Sequence, residues 1–432
     1  MKNEVYLQRR CALIDHIGEG VVIIPTAPER IRNRDNLYPF RFDSYFWYLS
    51  GFSEPEAVLV LCGGKEPRSI LFCRQKDEEC EVWTGYRHGP AAAREAFGFD
   101  EAYAFDELAA KLPDLLNGCH TLWYALGSNA DWDTRIISTL NALRAQTHAG
   151  KLAPAQIRDP RGSLDRMRLC KDSHEIGLMR QAAAIASAAH VRIMHFCRPG
   201  QMEYELEAEL IHEFRRHGAS GNSFSPIVAG GENACVLHYE TNDRRLAEGS
   251  LVLVDAGCEL EGYASDITRT FPVSGRFSAA QRDVYEIVLA AQRAAISAIK
   301  PGAPFITYHE AALKVLVQGL CDLKLLCGEV DGLIESQAYK PFYMHRTGHW
   351  LGLDVHDTGD YQIDNEWVQL EAGMALTVEP GLYIRPAPNV PESLLGIGVR
   401  IEDDVFVMEN GAEVYTTAPK TVTDIEETMC RE

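Results

Sequence analysis

The chain has 432 residues, of which 46% are hydrophobic and 24% are charged, and its formal net charge is −20. A chain of this length usually builds more than one hydrophobic core, so we expect two domains. An acidic surface repels phosphate backbones and anionic lipids, which argues against nucleic-acid and membrane partners. The sequence shows no signal core or membrane span, and its 12 cysteines contain no CxxC pair, so a cytoplasmic location is the default expectation.

The first third of the chain alternates short apolar runs with helical stretches. Residues 21–24, 57–62 and 69–73 are predicted strands, and residues 91–97 and 106–116 are predicted helices. This alternation predicts a small α/β domain. The charged, proline-containing stretch between 152 and 172 is predicted to be an irregular linker. We therefore expect domains at 1–172 and 173–432.

Two pairs of helices are predicted in the rest of the chain. Asp172 and Glu175 form a capping-box pattern before an alanine-rich helix that ends at Pro199-Gly200, and a second helix then precedes Gly218. Leu206, Leu210 and Phe214 recur on one face of that second helix. A third helix begins after Ser278, has Gln281 as its capping-box partner and ends at Pro301-Gly302, and a fourth covers about 308–320.

Each pair of helices accompanies a strand that leads into a carboxylate. The strand-like residues 251–254 precede Asp255, and residues 375–378 precede Glu379. This recurrence predicts an internally duplicated α+β domain with a shared central site.

Asp255 and Asp266 lie in a strand, turn and strand pattern with apolar neighbours. If residues 255–258 and 264–268 pair as a hairpin, both carboxylates reach one end or face of the sheet. Buried carboxylates require a cation or an arginine partner. Two interpretations stay open here: a metal site, or two turn-forming aspartates paired with Arg269.

Three histidines, His345, His349 and His356, occur within twelve positions. Gly348 and Gly352 favour a loop or a strand over a helix in this segment. Because histidine serves both in metal binding and in acid–base chemistry, this density indicates a site.

Glu379 and Glu402 each follow a run of aliphatic residues that is typical of a buried strand. Arg400 shares a strand face with Glu402, so Glu402 could also be the buried partner of that arginine. Four carboxylates and one histidine together form an oxygen-rich set suited to two divalent cations: Asp255, Asp266, His349, Glu379 and Glu402. The excess of oxygen donors favours Mn²⁺, with Zn²⁺ and Co²⁺ as alternatives.

Long blocks of the sequence resemble one family. They read LHYETND, LVLVDAGCELEGYASDITRTFPVSG, HWLGLDVHDTG, LTVEPGLYI and GIGVRIEDD, with YFWYLSGFSEPEAVLVL near the N-terminus. These blocks resemble aminopeptidase P, of the creatinase/methionine aminopeptidase (pita-bread) superfamily in peptidase family M24. The resemblance implies an α+β protein with an N-terminal creatinase-like α/β domain and a C-terminal pita-bread domain with a pseudo-two-fold duplication.

The resemblance also implies how the metal ligands are shared. Asp255 would bind one metal ion, His349 and Glu379 would bind the other, and Asp266 and Glu402 would bridge the two ions. Glu379 would also transfer the proton during the reaction.

Further residues match positions that line the site in this family. His238, His345 and His356 would position the substrate, and Tyr383 and Arg400 would line its binding site. Trp83, in EVWTGYRHG, resembles a tryptophan that reaches the site of a neighbouring subunit in the bacterial enzymes. One departure is Arg346-Thr347-Gly348, where bacterial members read Gly-Leu-Ser. It puts pocket detail in doubt but leaves the ligand positions untouched.

The implied reaction is hydrolysis of the bond between any N-terminal residue and a penultimate proline, by a hydroxide that bridges two metal ions. The partners would be such peptides and further copies of the chain, in a dimer or a tetramer. The N-terminal domain would build the oligomer contacts and shape the mouth of the site. Three alternatives stay open: a dipeptide-specific prolidase, a metal-free creatinase, and a non-enzymatic pita-bread protein that binds peptides or histones.

Overall fold

The computed structural model describes residues 2–430, and the chain divides into two compact units between Met167 and Arg168. The domain boundary predicted from the sequence lies a few residues further along, between Asp172 and Ser173. Within the described residues, no helix is both long and apolar enough to cross a bilayer.

The N-terminal unit alternates strands and helices. Its strands are β1 (Gly20–Pro25), β2 (Ile31–Asn33), β3 (Asn36–Leu37), β4 (Val58–Cys62), β5 (Arg68–Cys73), β6 (Glu101–Ala104), β7 (Thr121–Trp123) and β8 (Gln156–Arg158). Its helices are α1 (Lys2–Ile17), α2 (Ser44–Ser50), α3 (Glu78–Thr84), α4 (Gly89–Phe97), α5 (Leu108–Leu116), α6 (Ala130–Ala145) and α7 (Arg161–Leu169), the last of which runs into the second unit. The predicted strands and helices of this region are confirmed within one or two residues.

A six-stranded sheet organises this unit, in the order β6-β5-β4-β1-β7-β8. The pairs β5–β6, β1–β7 and β7–β8 are parallel, whereas β1–β4 and β4–β5 are antiparallel. Leu108, Leu112 and Leu116 are fully buried in the cluster that packs on the sheet, because positions four apart share one face of α5. The predicted α/β character is confirmed.

The predicted irregular linker at 152–172 is wrong in part. It contains the strand β8 and the nine-residue helix α7. The sequence pattern did not predict this helix, because it buries only two side chains, those of Leu164 and the charged Arg168. A single buried apolar residue gives no hydrophobic periodicity.

The C-terminal unit contains the two predicted pairs of long helices. Its helices are α8 (Ser173–Phe196), α9 (Glu203–Arg216), α10 (Ala279–Ala298), α11 (Thr307–Asp322), α12 (Val330–Glu335) and α13 (Val422–Met429). Asp172 and Ser278 cap α8 and α10 through capping boxes with Glu175 and Gln281, as predicted. Both helices end three residues before their Pro-Gly dipeptides, since proline cannot continue a helix.

Short antiparallel strands fill the space between these helices. They are β9 (Gly221–Asn222), β10 (Ile227–Gly230), β11 (Leu251–Asp255), β12 (Cys258–Leu260), β13 (Tyr263–Ala264), β14 (Thr268–Pro272), β15 (Gln362–Ile363), β16 (Glu366–Trp367), β17 (Ala375–Val378), β18 (Gly381–Ile384), β19 (Ile397–Arg400), β20 (Asp403–Met408) and β21 (Gly411–Val414). In the sheet β10-β11-β14 the central strand β11 ends at Asp255, and in the sheet β17-β20-β21 the edge strand β17 leads directly into Glu379. The predicted fold class is confirmed.

Candidate metal centre

Asp255 and Asp266 lie on one hairpin. Strands β11 and β14 are antiparallel with Asp255 opposite Thr268, and the Ala256 amide donates to the Ile267 carbonyl at 3.0 Å. The Asp266 amide donates to the carboxylate of Asp404 at 3.1 Å. The hairpin that the sequence predicted therefore forms, and it buries both carboxylates.

Glu379 and Glu402 come from the second half of the unit. Glu379 follows β17 directly, and its amide donates to the Thr347 carbonyl at 2.7 Å. The Glu402 amide donates to the carbonyl of Thr268 at 3.0 Å. Because Thr268 belongs to the first hairpin, this bond joins the two halves at the place where their carboxylates converge.

His349 lies in an extended segment beside β17. The Thr377 amide donates to the His349 carbonyl at 2.9 Å, and the His349 amide donates to the Thr377 hydroxyl at 3.1 Å. A Cβ atom at Gly348 would lie 1.9 Å from the Thr377 carbonyl oxygen, so only glycine permits this close approach. The expectation of a loop or a strand here, and not a helix, is confirmed.

The side chains of these segments meet in one cavity of about 580 Å³. His349 Nε2 lies 3.5 Å from a carboxylate oxygen of Asp266 and 3.7 Å from one of Glu379. One ligand atom each of Asp266, His349 and Glu402 lies within 4.8 Å of the other two. Asp255 lines the same cavity, so the structure brings all five predicted ligands together.

The hydrogen bonds of this cluster show which of its atoms could bind a cation. His349 Nδ1 lies 2.9 Å from the Trp350 carbonyl, which can only accept, so Nδ1 carries the proton. Nε2 is then the ring atom that faces the carboxylate oxygens, and a cation between them would be held by both. Asp255 Oδ1 and Asp266 Oδ1 are also buried without a hydrogen-bond partner. This donor set fits a divalent metal centre.

Electrostatics lead to the same conclusion. Burial, and then the neighbouring charge of Asp255, raises the pKa of Asp266 well above its ordinary value, and burial followed by the charge of Asp266 does so for Glu402. Burial likewise raises the pKa of Glu379 to about 7. These carboxylates repel one another in a medium of low polarity, so bound cations would restore their ordinary ionised form.

His345 and Arg400 line the cavity and belong to a hydrogen-bonded row whose middle member, Tyr383, does not line it: Tyr383 was expected to line the site but is fully buried behind these two side chains. His345 Nδ1 lies 2.7 Å from the Arg346 carbonyl, so it is the donor and Nε2 accepts from the Tyr383 hydroxyl at 2.8 Å. Arg400 donates to the Tyr383 oxygen at 3.0 Å and to Asp255 at 2.7 Å. Burial, and then the charge of Arg400, lowers the pKa of His345 to about 3, so its ring is neutral at physiological pH.

Two family models cover most of the chain. The model described as metallopeptidase family M24 matches residues 177–409, and the model of the aminopeptidase P N-terminal domain matches residues 6–123. The Xaa-Pro aminopeptidase of Escherichia coli (strain K12) is 46% identical over 421 residues, which are 97% of this chain and 95% of that protein. The chain belongs to the aminopeptidase P family of M24 metallopeptidases.

Relatives and solved structures agree with this assignment. The Xaa-Pro aminopeptidase of Haemophilus influenzae is also 46% identical, over 93% of this chain and 91% of that protein. The structure of Pseudomonas aeruginosa aminopeptidase PepP superposes with a TM-score of 0.98 at 48% identity, covering 99% of this chain and 98% of that one. A variant of E. coli aminopeptidase P in complex with substrate gives a TM-score of 0.97 at 45% identity, with 99% and 98% covered. The resemblance to aminopeptidase P is confirmed, and the chain is an enzyme of the Xaa-Pro aminopeptidase type.

Not all of the site residues expected from the aminopeptidase P family line the cavity. His238 and His356 line it and are solvent-exposed at its rim, with the His356 ring 4.4 Å from that of His349. Partial burial, and then the charge of His349, lowers the pKa of His356. Trp83 lies in the N-terminal unit, on the exposed helix α3, and its side chain is 87% exposed.

The structure decides between the interpretations that the sequence left open. Arg269 donates to Asp403 at 2.6 Å, so it is not the partner of the cavity aspartates. Arg400 pairs with Asp255 and not with Glu402, whose carboxylate accepts from the Thr268 hydroxyl at 2.7 Å. Nothing in the sequence indicated this role for Thr268, which begins β14 two residues after Asp266.

A buried ion cluster beside the cavity was also missed. Arg168 donates to Asp357 at 2.5 Å and Lys171 donates to it at 2.9 Å, and all three side chains are only 1% exposed. Although burial opposes it, the charges of Lys171 and Arg168 hold the pKa of Asp357 below its ordinary value. Because Asp357 follows His356 directly, this cluster fixes the backbone that carries the rim histidine. The partners are 186 and 189 positions apart, so no local pattern reveals them.

Proposed function

We propose that this chain removes the N-terminal residue from peptides whose second residue is proline, using two divalent metal ions. The observation that carries the proposal is the convergence of His349 Nε2, the buried carboxylates of Asp255, Asp266 and Glu402, and the half-buried carboxylate of Glu379 in one cavity. Asp255 would bind one ion, His349 and Glu379 the other, and Asp266 and Glu402 both. When bound, the two ions would supply a hydroxide nucleophile at neutral pH and would polarise the scissile carbonyl.

The position of Asp255 supports selection for a free N-terminus. The free α-amino group of a peptide would be anchored near Asp255 and the metal ion that it holds. An internal peptide segment has no such amino group. Only the first residue of a peptide could place its amino group beside Asp255, so the enzyme would remove N-terminal residues and would not cut within a chain.

The wall of neutral and aromatic side chains supports recognition of proline. The bond that precedes proline is a tertiary amide without an N–H group, and the proline φ is fixed. A site that binds it cannot depend on a hydrogen bond from the scissile amide. His345 and His238 would contact the proline ring, with Tyr383 and Arg400 holding His345 in its neutral tautomer.

Proton transfers are assigned to two residues. Glu379 would move the proton from the nucleophile to the leaving nitrogen, since it lies between His349 at 3.7 Å and His345 at 3.7 Å. His356 would donate a hydrogen bond to the carbonyl oxygen as negative charge develops there. Its lowered pKa keeps the ring neutral, so one ring nitrogen donates and the other accepts.

Manganese is our proposed metal, because oxygen donors outnumber the single imidazole nitrogen. We also propose a homo-oligomer in which Trp83 of one copy contacts the product side of a neighbouring site. The exposed Val82, Trp83 and Tyr86 support an interface at this surface, since clustered exposed apolar side chains mark contact sites. The cytoplasmic location stays a prediction from the sequence.

Two substrates and a chelator test the proposal. The Mn²⁺-loaded protein is incubated with Ala-Pro and with Ala-Pro-Ala, and the release of alanine is measured with and without EDTA. We expect cleavage of the tripeptide at a rate equal to or above that of the dipeptide, and loss of both activities with EDTA. Cleavage of the dipeptide alone would identify a prolidase, and full activity without metal would contradict the two-metal mechanism.

A further inference from the structure

Two arginines line the cavity, Arg400 and Arg346, and their surroundings differ. Arg400 is buried and donates to Asp255. Arg346 is exposed at the rim, and within residues 2–430 it forms no ion pair with a carboxylate. The cavity thus has the proposed metal ligands on its floor and a positive charge without a carboxylate partner on its rim.

Aromatic rings hold the Arg346 guanidinium in place. Its central carbon lies 5.1 Å from the centre of the Trp367 ring and 5.9 Å from that of Tyr361. Tyr361 stacks on the fully buried Trp350 at 5.8 Å, and its hydroxyl oxygen accepts a bond from the Trp350 amide. Stacking on an anchored platform leaves the edge of the guanidinium free to donate, in the planar geometry that matches a carboxylate.

The position of Arg346 suits the carboxylate end of a short peptide. Its guanidinium repels an α-ammonium group and attracts a carboxylate, so it favours the orientation in which the amino end lies at the floor and an acidic group lies at the rim. Arg346 precedes His349 by three positions, so their Cα atoms are at most about 10 Å apart, which is also about the extended length of three residues. A short peptide bound by its amino end at the floor can therefore reach Arg346 with an acidic group.

We propose that Arg346 is a specificity-determining residue that binds a carboxylate on the leaving-group side of the peptide substrate. This inference rests on the proposed function and adds a subsite to it. The carboxylate has two possible sources, which are the C-terminus of a tripeptide and an acidic side chain after the proline. Both present the same pair of oxygens to the guanidinium.

Paired substrates separate these sources. One pair is Ala-Pro-Ala and its C-terminal amide, and the other is Ala-Pro-Glu amide and Ala-Pro-Gln amide. For each pair, kcat/KM is measured with the full-length Mn²⁺-loaded protein, with Arg346→Gln and with Arg346→Lys. Because each result is a ratio between two substrates of one preparation, differences in metal loading or folding cancel.

The matched control is Arg180→Gln. Arg180 is also an exposed arginine of the C-terminal unit stacked over an aromatic ring, at 5.7 Å from the centre of Phe406, but it does not line the cavity. Its removal tests whether a change of net charge alone alters the preference. We expect its substrate ratios to equal those of the wild type.

For wild-type protein we expect a preference of about fivefold to tenfold for the carboxylate in at least one pair. Arg346→Gln should abolish that preference, and Arg346→Lys should keep part of it, because lysine preserves the charge without the planar fork. A wild-type ratio near one in both pairs, or an unchanged ratio in Arg346→Gln, would overturn the inference while leaving the proposed function intact. Failure of the wild type to cleave any of the four peptides would overturn the proposed function and this subsite with it.

Discussion

The C-terminal unit buries carboxylates in two different ways. Asp357 is enclosed by Arg168 and Lys171, and its pKa is held low, so the protein supplies its own cations. Asp266 and Glu402 are equally buried, yet their main neighbours are other carboxylates and their pKa values are raised. Asp357, which two cations of the chain neutralise, belongs to the architecture, whereas Asp266 and Glu402, which face other carboxylates in the cavity, are suited to bind an external cation.

The same distinction separates residues that are adjacent in sequence. Glu402 points into the cavity, while Asp403 accepts from Arg269 at 2.6 Å and from Gln292 at 3.0 Å. Asp403 and Glu402 are consecutive, so their side chains leave the strand on opposite faces. Acidic character alone therefore does not identify a metal ligand, and the identity of the facing side chains does.

Loss of a proposed bridging carboxylate should have the largest effect. Asp266→Asn or Glu402→Gln should lower the binding of both metal ions and reduce kcat/KM on the order of 10³-fold or more, because nucleophile activation depends on both ions. Elemental analysis and kinetics measure the two quantities. The metal-free variants should be no less stable than the metal-free wild type, since like-charge repulsion is removed. A fall in the stability of the metal-free form would place these residues in the same class as Asp357.

Removing a rim histidine should separate catalysis from metal binding. His356→Ala should retain its metal ions and lose about 10²–10³-fold in kcat, the usual effect of deleting one donor to a developing oxyanion. The metal content per chain is the internal control. An emptied metal site in this variant would show that His356 is itself a ligand.

A substitution in the buried ion cluster of Arg168, Lys171 and Asp357 should instead lower the free energy of unfolding. Lys171→Met leaves Asp357 with one cation, and we expect a loss of about 3 kcal/mol in the free energy of unfolding. Arg180→Gln is the control, because it breaks the exposed pair with Glu413 and should cost less than about 0.5 kcal/mol. Urea denaturation of the metal-free proteins measures both. Equal effects from the two substitutions would contradict the assignment of Asp357 to the architecture.

The difference in stability between the wild type and Lys171→Met should depend on pH, in the direction set by the lowered pKa of Asp357. Its pKa is lowered in the folded state, so the folded protein binds fewer protons than the unfolded chain. The stabilisation is therefore present above the ordinary aspartate pKa of about 4 and is lost as the pH falls through the folded value. The gap in stability between wild type and Lys171→Met should shrink below about pH 4. A gap that is independent of pH would assign the effect to lost packing.

The smallest effect is expected outside the cavity. Trp83→Ala should leave metal content unchanged and raise KM for peptides of four or more residues by about threefold, as for loss of one exposed aromatic contact. Initial rates with Ala-Pro and with a longer peptide measure the difference. A loss of metal from this variant would contradict the separation between cavity ligands and the N-terminal unit.

Much of the fold could be predicted from the sequence, because the residue patterns that specify its helices and strands are local. The capping boxes at Asp172 and Ser278, the strands that lead into Asp255 and Glu379, and the glycines around His349 all act within a few residues of chain. Their physical causes are hydrogen bonds and steric limits between near neighbours, which depend little on the rest of the molecule. The five cavity residues of the metal centre were found for the same reason, since each one stands at the end of such a segment.

Only the tertiary structure decided which charges meet. From the sequence, Arg269 and Arg400 were equally plausible partners of the carboxylates nearest to them in the chain. In the folded chain Arg400 pairs with Asp255, which is 145 positions away. Arg269 pairs with Asp403 at a separation of 134 positions, and Arg168 pairs with Asp357 at a separation of 189. Side chains two apart on a strand point the same way, but their partners come from other strands, and the register between strands is set by packing of the whole unit. The sequence thus determined where carboxylates would be buried, and the packing of distant segments determined which of them lack a cation of their own.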